Sequence, residues 1–147
     1  MEDLVRDTAP GPREVWERSQ RAVREFDLDG FVDVFAPEGV LEFPFAPPRV
    51  PRRMEGRGEI RRRLEPLWRN GAESTRIAGY SSVIVHESVD PDEIVVEFDL
   101  NGEAGASGEA FRLSYVHVVR VRDGRIVSFR DYWNPLTLVE LQSQLTS

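Results

Sequence analysis

After Asn70 and Gly71 the helical period of the chain disappears, and β-rich stretches then follow one another: 75 to 87, 93 to 103, 109 to 122 and 125 to 136. Between the last two stands Arg122-Asp123-Gly124-Arg125, and an Asp-Gly pair between alternating runs is a strong hairpin signal. The pattern predicts a long meander of antiparallel strands. Everything before it must cover one face of that sheet.

What precedes it reads mostly as helix. Residues 1 to 11 are polar and hold Pro10, Gly11 and then Pro12, so they read as a flexible N-terminal arm ahead of one domain over 12 to 147. Pro12 suits the first turn of a helix in which Val15, Trp16, Ser19, Ala22, Val23 and Phe26 recur at three-and-four spacing, with Arg18, Arg21 and Arg24 outside. A second short helix spans about 28 to 36, started by Asp29, bearing Phe31, Val34 and Phe35, and ended by Pro37. Residues 39 to 45 read as a strand that Pro44 confines to an edge or a bulge, followed by a Pro-rich loop to residue 51. A third helix follows Gly56 and runs to about Trp68, with Ile60, Leu64, Leu67 and Trp68 on one face and Arg57, Arg61 and Arg62 on the other. Helices, one short strand, a helix and then a meander imply an α+β domain with helices packed on one side of a curved sheet.

Composition narrows the chemistry. The 147 residues are 40% hydrophobic, enough for a single core, and no apolar run approaches the roughly 20 residues that span a bilayer. With no leader pattern at the N-terminus, a cytoplasmic location without membrane attachment is expected. With 26 acidic against 19 basic residues the net charge is -7, which speaks against nucleic acid as partner. There is no cysteine, and every basic residue is arginine, which removes thiolate and Schiff-base chemistry. His86 and His117 are the two histidines, and neither falls in a metal-ligand pattern, so no metal and no cofactor is expected. Catalysis must then come from carboxylates, imidazoles, tyrosines and arginines.

One carboxylate stands out. In the closing strand Phe129, Asp131 and Trp133 share a face, while Ser128, Arg130 and Tyr132 point the other way. Burial between two rings disfavours the charged form of an acid, which suits a proton-transfer group working near neutral pH. The structural alternative is an ion pair of Asp131 with Arg112 or Arg130. His117 lies on the same face as Leu113, Tyr115 and Val119, and its structural alternative is a hydrogen-bonded core histidine. Trp16, Trp68, Phe43 and Phe45 would suit either an apolar pocket wall or the core. Alternation sets His86 and Glu42 outward.

Several short motifs occur in one order: FAPEGVLEFPF at 35 to 45, EGRGEI at 55 to 60, VRDGRI at 121 to 126 and RDYWNPL at 130 to 136. In this the chain resembles the NTF2-like superfamily, and within it the SnoaL-like proteins and the phenazine-biosynthesis PhzA/PhzB group, over about residues 12 to 140. The resemblance implies a cone: a bent antiparallel sheet wrapped round a deep pocket closed by three N-terminal helices, forming a homodimer through the outer face of the sheet. In SnoaL-like cyclases the acid or base falls on Asp131, and a glutamate of the phenazine group falls there too. In ketosteroid isomerase, another relative, the hydrogen-bond donor falls on His117, whereas the general base falls on Phe43. The resemblance also implies an isomerase, cyclase or dehydratase of bacterial secondary metabolism, with Asp131 and His117 catalytic. Tyr115, Trp133, Phe129, Val119, Phe43 and Trp16 would then bind a hydrophobic, polycyclic or carbonyl-bearing metabolite. The opposing reading is a non-catalytic dimeric module that binds a hydrophobic ligand.

Overall fold

A computed structural model describes residues 9–137 of the chain. Helix α1 (Pro12–Arg24) opens on Pro12 and buries Val15, Trp16, Ser19, Gln20 and Ala22, while Arg18, Arg21 and Arg24 stay exposed as their spacing predicts. Helix α2 (Leu28–Asp33) is capped by Asp27, whose carboxylate accepts the N–H of Gly30 at 3.0 Å, so the cap lies two residues before the expected Asp29. Asp29 instead ion-pairs with Arg61 of helix α3 (Arg57–Ser74).

Strand β1 (Phe35–Glu42) begins where the sequence predicts a helix, and it ends before Pro44. The reason is tertiary. Phe35 pairs with Ile126, whose N–H donates to the Val34 carbonyl at 2.8 Å, and the register then slips between Phe35 and Val40. Pro37, which has no N–H to give, falls within that bulge. A short strand β2 (Arg53–Glu55) pairs with β1 on its free edge, where Glu42 points outward to Arg53 at 3.3 Å.

Helix α3 runs six residues beyond Trp68, straight through the Asn70-Gly71 pair that reads as its end. The helix continues through Gly71, and the absence of a side chain there makes room for Phe26: a Cβ would stand 3.0 Å from Phe26 Cε1. Strands β3 (Thr75–Glu87), β4 (Glu93–Ala104), β5 (Ala110–Arg122) and β6 (Arg125–Trp133) then form the predicted meander. The β5–β6 turn has Asp123 and Gly124 both at positive φ, 53° and 77°, the geometry that makes Asp-Gly a hairpin pair.

The six strands form one curved, unclosed sheet in the order β2-β1-β6-β5-β4-β3. It is not wholly antiparallel, because β1 and β6 run parallel. Strand β1 therefore lies beside the last strand, one place in from the β2 edge. Along β4 every second residue from Ile94 to Ala104 is buried, which defines the concave face that the helices cover. At the closed end of the cone Phe31, Phe35 and Phe129 meet with ring centroids 5.3 to 6.1 Å apart. No helix among the described residues is long and apolar enough to cross a membrane.

Phe35 is fully buried and ties α2, β1 and β6 together. Truncating it leaves a cavity that rigid strands cannot fill, so Phe35→Ala should cost about 3–5 kcal/mol of stability. Urea unfolding would show a lower midpoint with an unchanged slope.

Candidate functional site: an acid and an imidazole in an apolar cavity

Between the concave face of the sheet and helices α1 and α3 lies a cavity of about 350 Å³. That volume is at the small end of the roughly 300–1,000 Å³ range of small-molecule sites. The antiparallel register of β5 and β6 builds one wall. Three pairs of direct partners face one another across these strands: Tyr115 with Trp133, His117 with Asp131, and Val119 with Phe129. The alternation that places Phe129, Asp131 and Trp133 on one face thus meets a matching alternation on β5, and five of the six residues reach the cavity. Val119 does not line it. Fully buried, it sits beside Phe129 in the core and contributes no cavity surface.

Phe43, expected to bind a ligand, does line the cavity and packs edge-on to Trp133 at 5.9 Å. Trp16 does not, because His117 stands between the indole and the open space. Phe45 lies outside altogether, 57% exposed against the outward ring of Tyr132. Trp68 lines the cavity from α3, and Phe26, Phe31, Phe98 and Phe111 join it. Phe26 and Phe31 were expected only as apolar helix-face residues, and Phe98 and Phe111 carried no expectation. For Phe26 the readable signal is Gly71, whose missing side chain makes room for its ring.

Deep in this wall, His117 Nε2 and Asp131 Oδ1 are 3.1 Å apart. The imidazole is 3% exposed and the carboxylate 19%. The two atoms are within hydrogen-bonding distance but not in line, and neither has another partner among the described residues. The other ring nitrogen, Nδ1, accepts the indole N–H of Trp16 at 2.9 Å. Four aromatic rings surround the imidazole, with Phe129 at 4.7 Å and Phe98 at 4.8 Å meeting it edge-on. The alternative of an ion pair between Asp131 and an arginine is not what forms: Arg112 lies 4.0 Å from Asp99, and Arg130 is exposed on the opposite face.

The electrostatics follow from the lining. Among the described residues Asp131 is the one carboxylate that faces the cavity, and no arginine faces it. The lining therefore offers one acidic group and no arginine to balance it. Burial, and then the nearby charge of Asp131, push the Tyr115 phenol up from its ordinary value, so it remains a neutral donor over the whole physiological range. Tyr80 is pushed up by burial as well, with Arg24 opposing, and its hydroxyl donates to the Gln20 carbonyl at 2.6 Å. His86 is exposed beside Glu97 at 2.6 Å, on the outer surface as its parity implies. No group of three or more metal-ligating side chains occurs among the described residues.

This cone, with an acid on its last strand, defines a class of protein. The family profile of the SnoaL-like domain matches residues 16–129, and the chain belongs to that family. Its fold is accordingly NTF2-like. An uncharacterised PhzA/B-like protein of Pseudomonas aeruginosa is 40% identical over 131 residues, 87% of each chain. A Bacillus subtilis protein provisionally assigned as an isomerase has a crystal structure that superposes with a TM-score of 0.79. It is 30% identical, and the match covers 90% of this chain and 92% of that one. TerC, co-crystallised with polyporic acid, shares the fold at a TM-score of 0.67 and 20% identity, over 91% of this chain and 97% of its own.

The raised Tyr115 phenol gives a pH test. The unfolded phenol ionises near its ordinary value of about 10, whereas the folded one holds its proton longer. Above that pH the native state therefore binds more protons than the unfolded state, and stability falls as pH rises. Denaturation midpoints at about pH 9 and about pH 11 should drop in the native sequence. The drop should be smaller in Tyr115→Phe.

Proposed function

We propose that the chain is an acid–base enzyme of bacterial secondary metabolism, of isomerase, cyclase or dehydratase type, acting in the cytoplasm on a small uncharged metabolite that bears a carbonyl group. The observation that carries this reading is the His117–Asp131 contact, set in a cavity whose other lining residues among those described are uncharged. An acid placed there for stability alone would be matched to an arginine. This one faces an imidazole off alignment, which leaves hydrogen-bonding capacity for a third group. Two proteins of the same fold support a small-molecule role, one provisionally assigned as an isomerase and the other, TerC, co-crystallised with polyporic acid.

In this mechanism the flat part of the substrate lies between Trp68 and Phe43 on one side and the β4 to β6 wall on the other. Asp131 takes a proton from the carbon next to the carbonyl. As negative charge moves to the carbonyl oxygen, Tyr115 O–H and His117 Nε2–H supply donors from the same wall. The aromatic lining keeps water away, so each of these contacts counts for more than it would in solvent. Asp131 then returns the proton to a different atom, which completes an isomerisation, or to a departing hydroxyl, which completes a dehydration. A homodimer through the outer face of the sheet belongs to the same proposal, since Ile84 and Val116 are exposed there.

Proton abstraction can be followed without the natural substrate. In heavy water the protein should accelerate deuterium exchange at the α-carbon of flat neutral ketones such as 2-tetralone. Asp131→Asn keeps the shape and loses the base, and should slow exchange by about 100-fold or more. Accelerated exchange that persists in Asp131→Asn removes Asp131 from the mechanism. Ketone binding without any exchange points to a binding module instead.

A further inference from the structure

The mechanism above leaves unexplained why a tryptophan that never touches the cavity spends its one polar atom on His117. An indole N–H can donate and cannot accept. At 2.9 Å from Trp16 Nε1, the Nδ1 atom of His117 must therefore present a lone pair. A neutral imidazole with a bare Nδ1 carries its proton on Nε2, the atom 3.1 Å from Asp131. States with a proton on Nδ1 or on Asp131 Oδ1 are worse. A proton on Nδ1 sets two N–H groups head to head, in the neutral ring and in the imidazolium alike. A carboxylic acid proton at Asp131 Oδ1 would collide with Nε2–H.

We propose that Trp16 is a positioning residue: its indole N–H locks His117 in the neutral Nε2–H tautomer, so that Asp131 is presented as the acceptor of a proton and His117 as a donor. The inference rests on the reading of Asp131 as base and adds to it the origin of the division of labour. An unrestrained histidine beside an aspartate readily takes up a proton and becomes the cation of an ion pair. That would neutralise the base and fill the cavity with a charge pair. With Nδ1 occupied, His117 has no free site for a second proton.

The lock is set by the packing of a helix on a sheet, since Trp16 comes from α1 and His117 from β5. Two features hold the indole in place. Its ring meets Phe98 edge-on at 5.4 Å and is 5% exposed. On the helix, Ser19 Oγ donates to the Trp16 carbonyl at 2.6 Å while Gln20 Nε2 donates to Ser19 Oγ at 3.1 Å, so the buried polar groups of this turn are partnered among themselves. Trp16 acts on any ligand through His117.

The tautomer can be read directly on the protein by nitrogen-15 NMR of the imidazole rings near neutral pH, with no substrate present. The chain has two histidines, and His86→Gln removes the signals of the other. The expected result is a single form of His117 with protonated Nε2 and unprotonated Nδ1. In Trp16→Phe that single form should be lost, with Nδ1 protonated in part or all of the molecules. Exchange of 2-tetralone should slow without a matching change in KM. Finding Nδ1 protonated in the native sequence overturns the proposal, and this measurement stands even if Trp16→Phe does not fold. An unchanged tautomer in a folded Trp16→Phe overturns it as well. The base is tested separately: Asp131-dependent exchange with the wrong tautomer rejects the role of Trp16 alone. The right tautomer with Asp131-independent exchange rejects the catalytic purpose of the lock.

Discussion

Strand β6 pairs on both edges, parallel to β1 and antiparallel to β5, and the cavity depends on that double pairing. The parallel edge holds β1 beside β6, and with it α2, whose Phe31 closes the bottom of the cone against Phe129. The antiparallel edge fixes which residue of β5 faces each residue of β6. A slip of one residue would turn Asp131 outward and bring Arg130 into the apolar interior, at a desolvation cost that nothing nearby offsets. Register is therefore enforced by burial, and the site inherits its geometry from it.

The same burial shapes the chemistry. An acid and an imidazole surrounded by aromatic rings stabilise each other less than an arginine pair would, and the two atoms that meet have no further partners among the described residues. Such a contact is a poor stability device, and under the proposed function its unused donors and acceptors are what a ligand would meet. The core around it carries the stability: Phe35, Leu41, Met54 and Ile60 are all essentially inaccessible.

Where the reading of the sequence departed from the structure, long-range packing had overridden a local signal. Phe35 has the spacing of a helix residue, yet its backbone is needed to start β1 against Ile126. Asn70-Gly71 carries a stop signal, yet the helix runs on to Ser74 with Phe26 packed against Gly71. Val119 and Trp16 share the parity and periodicity of residues that reach the cavity, but each lies one layer behind it. Periodicity names the face of an element and cannot say how far that face extends before another side chain covers it. Phe26 closes the apolar run of the first helix by spacing, yet the helix ends at Arg24 and the ring reaches the cavity wall beside Gly71.

By itself the sequence determined the α+β order, the limits of the meander, the Asp-Gly hairpin and the shared face of Phe129, Asp131 and Trp133. All of these follow from local spacing, because the period of a strand or helix is a property of its own backbone. Tertiary structure alone decided that β1 runs parallel to β6, that His117 stands opposite Asp131, and that Trp16 faces the ring nitrogen the acid does not use. Those are contacts between residues far apart in the chain, and which partner a residue meets is set by how the sheet and helices close on one another.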